Sequence, residues 1–214
     1  QRHQLSNEVY DQIASDSPLR AAADIQVALN LQRMAKKPEA LARLTALVTR
    51  DPGNIEAWTT LGNVNRNNEE YAAAAPAYGK AIELAAKAGK PDWQLFYFRG
   101  IALERMKQWP KAEADFQAAL KLAPEEASVL NYYGYSLIDR KEKLKEAMEM
   151  VKKAVELRPN DGYIVDSLGW AFYQLGNYEE ALVHLERAVD LKAADAIIAE
   201  HLGDVYWRVG RKLE

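Results

Sequence analysis

A glycine that follows a bulky residue recurs as Gly62, Gly100, Gly134, Gly169 and Gly203, in steps of 38, 34, 35 and 34 residues. An alanine stands twelve or thirteen places after four of them, as Ala74, Ala112, Ala147 and Ala181. Three more columns keep the same phase: Tyr78, Phe116, Val151 and Leu185; Ala81, Ala119, Ala154 and Ala188; Leu84, Leu122, Leu157 and Leu191. Several independent columns in one register point to a stacked array in which each unit buries its apolar face only against its neighbours.

Each unit reads as two helices, because apolar residues fall three and four apart on either side of a short polar turn such as "LGNYEE" or "MKQWPK". No segment alternates like a strand. Glycine and alanine mark places where helices approach closely, and Trp58, Phe96, Tyr78, Phe116 and Leu185 supply the bulk that fills the spaces between them. Pro110 suits a first helical turn, while Pro124 and Pro159 suit the residues just past a helix end.

Composition narrows the chemistry. With 49% hydrophobic and 28% charged residues, the 214-residue chain can bury a core. Its net charge of −3 gives no global positive field for nucleic-acid phosphates. The absence of cysteine excludes disulfides, thiolate metal sites and cysteine nucleophiles. No apolar run approaches the roughly 20 residues of a membrane span, so direct membrane insertion is not expected. The first residue is Gln1 rather than methionine, which reads as a processed or excised chain.

"AWTTLGNV", "DSLGWAFYQLGNYEEALVHLERAV" and "ADFQAALKLAP" resemble the tetratricopeptide repeat, a 34-residue unit of the form W-x2-L-G-x2-Y, A-x3-F, A, P. The resemblance implies an all-α fold, a right-handed superhelical solenoid of antiparallel helix pairs. Expected units span 55–92, 93–126, 127–161 and 162–195. Residues 21–54 form a degenerate unit with Ala28 in the glycine column. Residues 1–20, with Leu5, Val9 and Ile13 on one helical face, read as the second helix of a truncated repeat, and 196–214 as the first helix of another. Val205, Tyr206, Val209 and Leu213 are therefore expected to lie uncovered, which would make the ends sticky. Two departures stand out. Arg99 takes a leucine slot and so needs a buried acceptor for its head. Pro76, inside "EEYAAAAPAYGKAIEL", should cost a hydrogen bond and bend the helix.

Enzymatic constellations are missing. The stretch from Gly169 to Gly176 lacks the Lys-Ser/Thr of a phosphate loop. His3, His184 and His201 have no metal-ligand spacing, and Glu125, Glu126, Glu179 and Glu180 sit where acids cap helices. No catalytic residue, metal or cofactor is expected.

In tetratricopeptide arrays the first helix of each unit lines a concave face. Carried onto this chain, that face comprises Asn63 and Arg66; Tyr97 and Arg105; Asn131, Tyr135, Ile138 and Asp139; Tyr163, Asp166, Trp170 and Tyr173; and Glu200, Asp204 and Trp207. Rings interleaved with acids suit a protein or peptide partner with apolar and basic residues. The family's carboxylate clamp for chaperone tails needs basic residues that Thr59, Ser128 and Tyr132 replace, leaving Asn63 alone in place. The basic, base-specifying positions of RNA-reading repeats are absent as well, so no nucleic acid is expected. The expected function is a non-catalytic interaction scaffold. Homotypic assembly through the ends, or a regulatory role within a larger enzyme, are the alternatives. "NYYGYSLIDR" and "HLGDVYWRVGRKLE" look like the C-terminal array of long proteobacterial tetratricopeptide proteins, many exported; this leans toward the periplasm or envelope, with the cytoplasm as alternative.

Overall fold

Acid and amide side chains start many of the helices by accepting backbone N–H groups that have no partner within the helix. Asn54 accepts from Ala57, Asp92 from Gln94, Glu126 from Ser128, Asp161 from Tyr163, and Asp195 from both Ile197 and Ile198. The computed structural model describes residues 2–211, and among them every regular element is an α-helix. The helices are α1 (Arg2–Asp11), α2 (Arg20–Arg33), α3 (Lys37–Arg50), α4 (Ile55–Asn67), α5 (Tyr71–Lys87), α6 (Trp93–Arg105), α7 (Trp109–Leu122), α8 (Ala127–Asp139), α9 (Leu144–Leu157), α10 (Gly162–Gln174), α11 (Tyr178–Leu191) and α12 (Ala196–Val209).

The turns within the pairs share one conformation. Ala35, Glu69, Lys107 and Lys141 all hold a left-handed backbone, with φ of 57–61°, and Gly176 does so at 80°. The following amide then reaches back to the helix it has left: Lys36 to Leu31, Glu70 to Asn65, Gln108 to Leu103, Glu142 to Leu137 and Asn177 to Phe172. Four of these five corners bear a side chain, so packing of the pair imposes a backbone that only Gly176 adopts without steric penalty.

The chain divides into Gln1–Leu122 and Ala123–Glu214. In the first unit α1 packs on α2, which pairs with α3, as α4 does with α5 and α6 with α7. The first helices α2, α4 and α6 touch in succession, while α3 and α5 each also lean on the next pair. The second unit repeats this arrangement with α8/α9, α10/α11 and α12, and its first helices α8, α10 and α12 are in contact through α10.

The sequence columns are the contact columns. Ala74, Ala112, Ala147 and Ala181 are fully buried, as are Ala81, Ala119, Ala154 and Ala188. A Cβ added at Gly62 or Gly100 would lie 2.7 Å from the ring of Tyr78 or Phe116, and at Gly169 2.6 Å from Leu185. Gly203 differs, with nothing within 4 Å of that position. The expectation for α12 needs correcting accordingly. Val205 is fully buried and, with Leu202, Tyr206 and Val209, packs on Ala181 and Leu185 of α11. Ile197 and Trp207 are the large apolar side chains that stay exposed on this helix. Leu213 lies outside the described residues. On α1, Leu5 and Val9 are exposed.

α5 continues unbroken for 17 residues through Pro76, whose side chain is exposed. The missing N–H leaves the Ala72 carbonyl without its helical donor. Pro76→Ala is therefore expected to stabilise the chain by roughly 1–3 kcal/mol. Urea denaturation measures it, and a loss of stability would mean that packing of α5 on its neighbours depends on the proline.

Candidate partner-binding surface

In the first unit, Asn63 and Arg66 are brought together by a residue that the sequence places in the core. Tyr78 is fully buried against Gly62, and its hydroxyl donates to Asn63 Oδ1 at 2.8 Å and accepts from Arg66 Nε at 3.2 Å. Burial raises the Tyr78 pKa, opposed by the hydrogen bond and the charge of Arg66. The Arg66 guanidinium also lies over the Phe98 ring, 4.5 Å from its centre. Tyr97 belongs to a ring cluster, 5.3 Å from Phe98, 6.1 Å from Trp93 and 6.4 Å from Phe116. Arg105 is exposed at the end of α6, 3.6 Å from Glu104.

The second unit gathers its rings into a stack. Trp170 on α10 is sandwiched between His201 of α12, centre to centre 4.1 Å, and Tyr173, 4.6 Å, with both pairs near parallel. His201 Nδ1 lies 2.9 Å from Asp166 Oδ1. Arg208 Nε donates to the Tyr173 hydroxyl at 3.3 Å, and its guanidinium lies over the Tyr178 ring. Two sequence expectations change here. Both faces of Trp170 are occupied, so it offers a partner only its edge. Asp166 is 6% exposed and spent on His201, which removes it from the set of open acids. Ile138 is buried as well and belongs to the core.

What remains open is distributed over α8, α10 and α12. Tyr135 is half-buried, and its pKa is raised by burial and then by the negative charges of Asp139 and Asp166. Asp139, Glu200 and Asp204 are exposed, and Trp207 is 63% exposed. Tyr163 is exposed, but Lys192 lies 4.9 Å over its ring, and its pKa is raised by a hydrogen bond to Asp195. Asn131 is half-buried, and its Oδ1 has no hydrogen-bond partner.

Two buried acids hold arginines; one answers the expectation for Arg99, and the other escapes a column-by-column reading. Arg99 finds its acceptor in Asp115, which is 5% exposed and receives Nε and Nη2 at 2.7 Å each. Asp24 stands four residues before Ala28, where the later units have Trp58, Phe96, Leu130 and Val165. It is 3% exposed and held by Arg20 at 2.6 Å, Arg50 at 2.7 Å and Arg43 at 2.8 Å. An acid in an apolar column, with two arginines seven apart on the next helix, was the available signal.

The sequence model of a family described as "Tetratricopeptide repeat" matches residues 27–91 and 97–162, and one described as "TPR repeat" matches 169–210. The chain belongs to the tetratricopeptide repeat family. The TPR repeat-containing protein PA4667 of Pseudomonas aeruginosa is 31% identical over 147 residues, 68% of this chain and 24% of that protein. Among solved structures, YrrB, "a TPR protein with an unusual peptide-binding site", superposes with a TM-score of 0.67 at 24% identity, covering 91% of this chain and 97% of the other. The APC/C hetero-tetramer Cut9-Hcn1 does so with a TM-score of 0.78 at 21% identity, covering 97% and 39%. The fold is thus the tetratricopeptide solenoid, a scaffold that is generally non-catalytic and serves protein interaction. This chain spans between about an eighth and a third of the length of the curated relatives it matches. Among the described residues no helix is long and apolar enough to cross a membrane.

Proposed function

We propose that the chain is a non-catalytic scaffold whose second unit grips a partner segment bearing apolar anchors and basic side chains. The observation that carries this is the coincidence, on the first-helix layer α8/α10/α12, of the exposed acids Asp139, Glu200 and Asp204 with Tyr135 and Trp207. Burial raises the Tyr135 pKa, and the neighbouring charge of Asp139 adds to it. A large ring supplies contact area with few torsions to freeze, and the acids speed encounter with a cation. The stack of His201, Trp170 and Tyr173 acts beneath this surface as its support, locking α12 onto α10. We assign the binding layer one first helix from each of the units 127–161, 162–195 and 196–214.

Twelve-residue peptides carrying Lys and Leu, compared with Glu/Leu and Lys/Ser versions, test the reading by calorimetry. The Lys/Leu peptide is expected to bind best, Trp207→Ala to weaken it by about 2 kcal/mol, and Asp204→Asn mainly to slow association and flatten its salt dependence. Basic-apolar binding that is indifferent to both substitutions overturns the proposal. If the same wild-type samples run as concentration-dependent oligomers that Leu5→Glu and Val9→Glu dissolve, homotypic stacking is the better account.

A further inference from the structure

Two amides stand in columns that are otherwise mostly apolar. Asn7 of α1 falls where the later second helices place Leu41, Ala75, Glu113, Met148 and Leu182, and Asn30 of α2 where the later first helices place Val64, Ala102, Ser136, Ala171 and Val205. Both amides are 5% exposed, and Asn30 Nδ2 donates to Asn7 Oδ1 at 2.9 Å. Arg33 fixes the direction of this bond. Its guanidinium can only donate, and Nη1 lies 3.4 Å from Asn30 Oδ1, so Asn30 turns Nδ2 to Asn7 and Asn7 receives it with its oxygen. Asn7 Nδ2, with its N–H groups, is then turned the other way and finds no partner among the described residues. A buried amide donor left unpaired is costly, and two apolar side chains would fill the same columns without that cost.

This donor lines a groove of about 430 Å³ between α1 and α3. The floor is apolar, made by the buried Val27 and Leu31 of α2. The walls run from Gln4 to Asp11 and from Glu39 to Ala46, each about 10 Å of helix at the usual rise per residue. Charges on the rim cancel within the chain: Lys36 pairs with Glu39, and Arg43 with Asp11 and Asp24. A ligand that fits is elongated, uncharged and apolar, with a carbonyl near its middle to meet Asn7. An extended peptide segment of about three residues has that length and that chemistry.

We propose that the groove between α1 and α3 binds an extended, uncharged segment of a partner protein, one backbone carbonyl accepting from Asn7 Nδ2 while a neighbouring apolar side chain rests on Val27 and Leu31. Asn30 and Arg33 are positioning residues here: they orient the amide that meets the ligand. The site uses no residue of the acidic α8/α10/α12 layer. Binding read at Asn7 is expected to be unchanged by Trp207→Ala, which separates failure of this proposal from failure of the other.

Acetyl-Ala-Leu-Ala-amide, which carries no charge, is titrated into the 214-residue chain while the Asn7 side-chain amide and the Val27 and Leu31 methyl groups are followed by NMR. All three are expected to shift with millimolar affinity, and the Ser and Asp versions of the peptide to bind at least tenfold more weakly. Asn7→Asp still accepts from Asn30 but turns an acceptor toward the ligand carbonyl, and is expected to weaken binding at least tenfold, read at the methyl groups. Asn7→Leu combined with Asn30→Val puts in place residue types of the same two columns, and is expected to remain folded and to lose the binding. Equal binding of the Ser or Asp peptide, shifts that spare Asn7, or wild-type affinity in either folded variant overturns the proposal. Shifts at Asn7 that follow protein concentration without peptide overturn it in favour of a second copy of this chain as the occupant.

Discussion

Asp24→Ala is expected to destabilise the chain by about 3–5 kcal/mol at neutral pH, because it leaves Arg20 and Arg43 beside an empty, largely buried position. Arg50 loses less, since its side chain is half exposed and water replaces the carboxylate. The pH dependence has a definite sign. Burial alone would push the Asp24 carboxyl up, but hydrogen bonds from Arg20 and Arg50 and the charges of Arg43 and Arg20 outweigh it and hold the pKa below the ordinary value. A depressed folded-state pKa contributes stability that is complete above the unfolded value, about 3.9, and is lost as pH falls through the folded one. The gap in urea midpoint between wild type and Asp24→Ala should therefore be full at pH 7 and narrow below about pH 4. A gap that is constant between pH 7 and pH 3 would show that the carboxylate charge is not what holds α1, α2 and α3 together.

Phe116→Ala carries the second large effect. Phe116 is fully buried, and its ring fills the space that Gly100 leaves, so truncation should cost about 3–5 kcal/mol. Gly100→Ala alone forces a methyl to within 2.7 Å of that ring, and is expected to cost about 1–3 kcal/mol through overpacking. Combined, the two changes should cost less than their sum, because the new methyl then enters the cavity. A coupling of roughly 1 kcal/mol or more is expected in a double-mutant cycle by urea denaturation. Strict additivity would mean that the two columns do not pack as knob and hole.

The contrast between what was and was not legible in the sequence follows from the range of each interaction. Gly100 and Phe116 were readable because the pair recurs at a fixed phase, and repetition separates a packing rule from chance. The capping role of Glu126 was readable because a cap is local, acting within three residues. The stack of His201 on Trp170 was not, because it joins single residues of two different units and the pair does not recur: one unit earlier the same two places hold Tyr135 and Ser167. Trp170 therefore looked like an anchor and turned out to be shielded on both faces. Tyr78 was hidden for a related reason: its column reads as core, and the ring does pack there, while the hydroxyl serves the surface beyond.

The unequal contacts of the two helix layers give each unit a stiff side and a compliant side. In the first unit α2, α4 and α6 touch in succession, whereas α3 and α5 lean on the next pair's first helix more than on each other. Compressing the touching layer meets packed atoms, and spreading the other layer separates helices that make few contacts with one another. The unit should then behave under load like a hinge strip, flexing by splaying α3, α5 and α7 while the spacing of Asn63, Arg66 and Tyr97 along the touching layer changes little. A grip built on that layer keeps its gauge while the back of the unit yields.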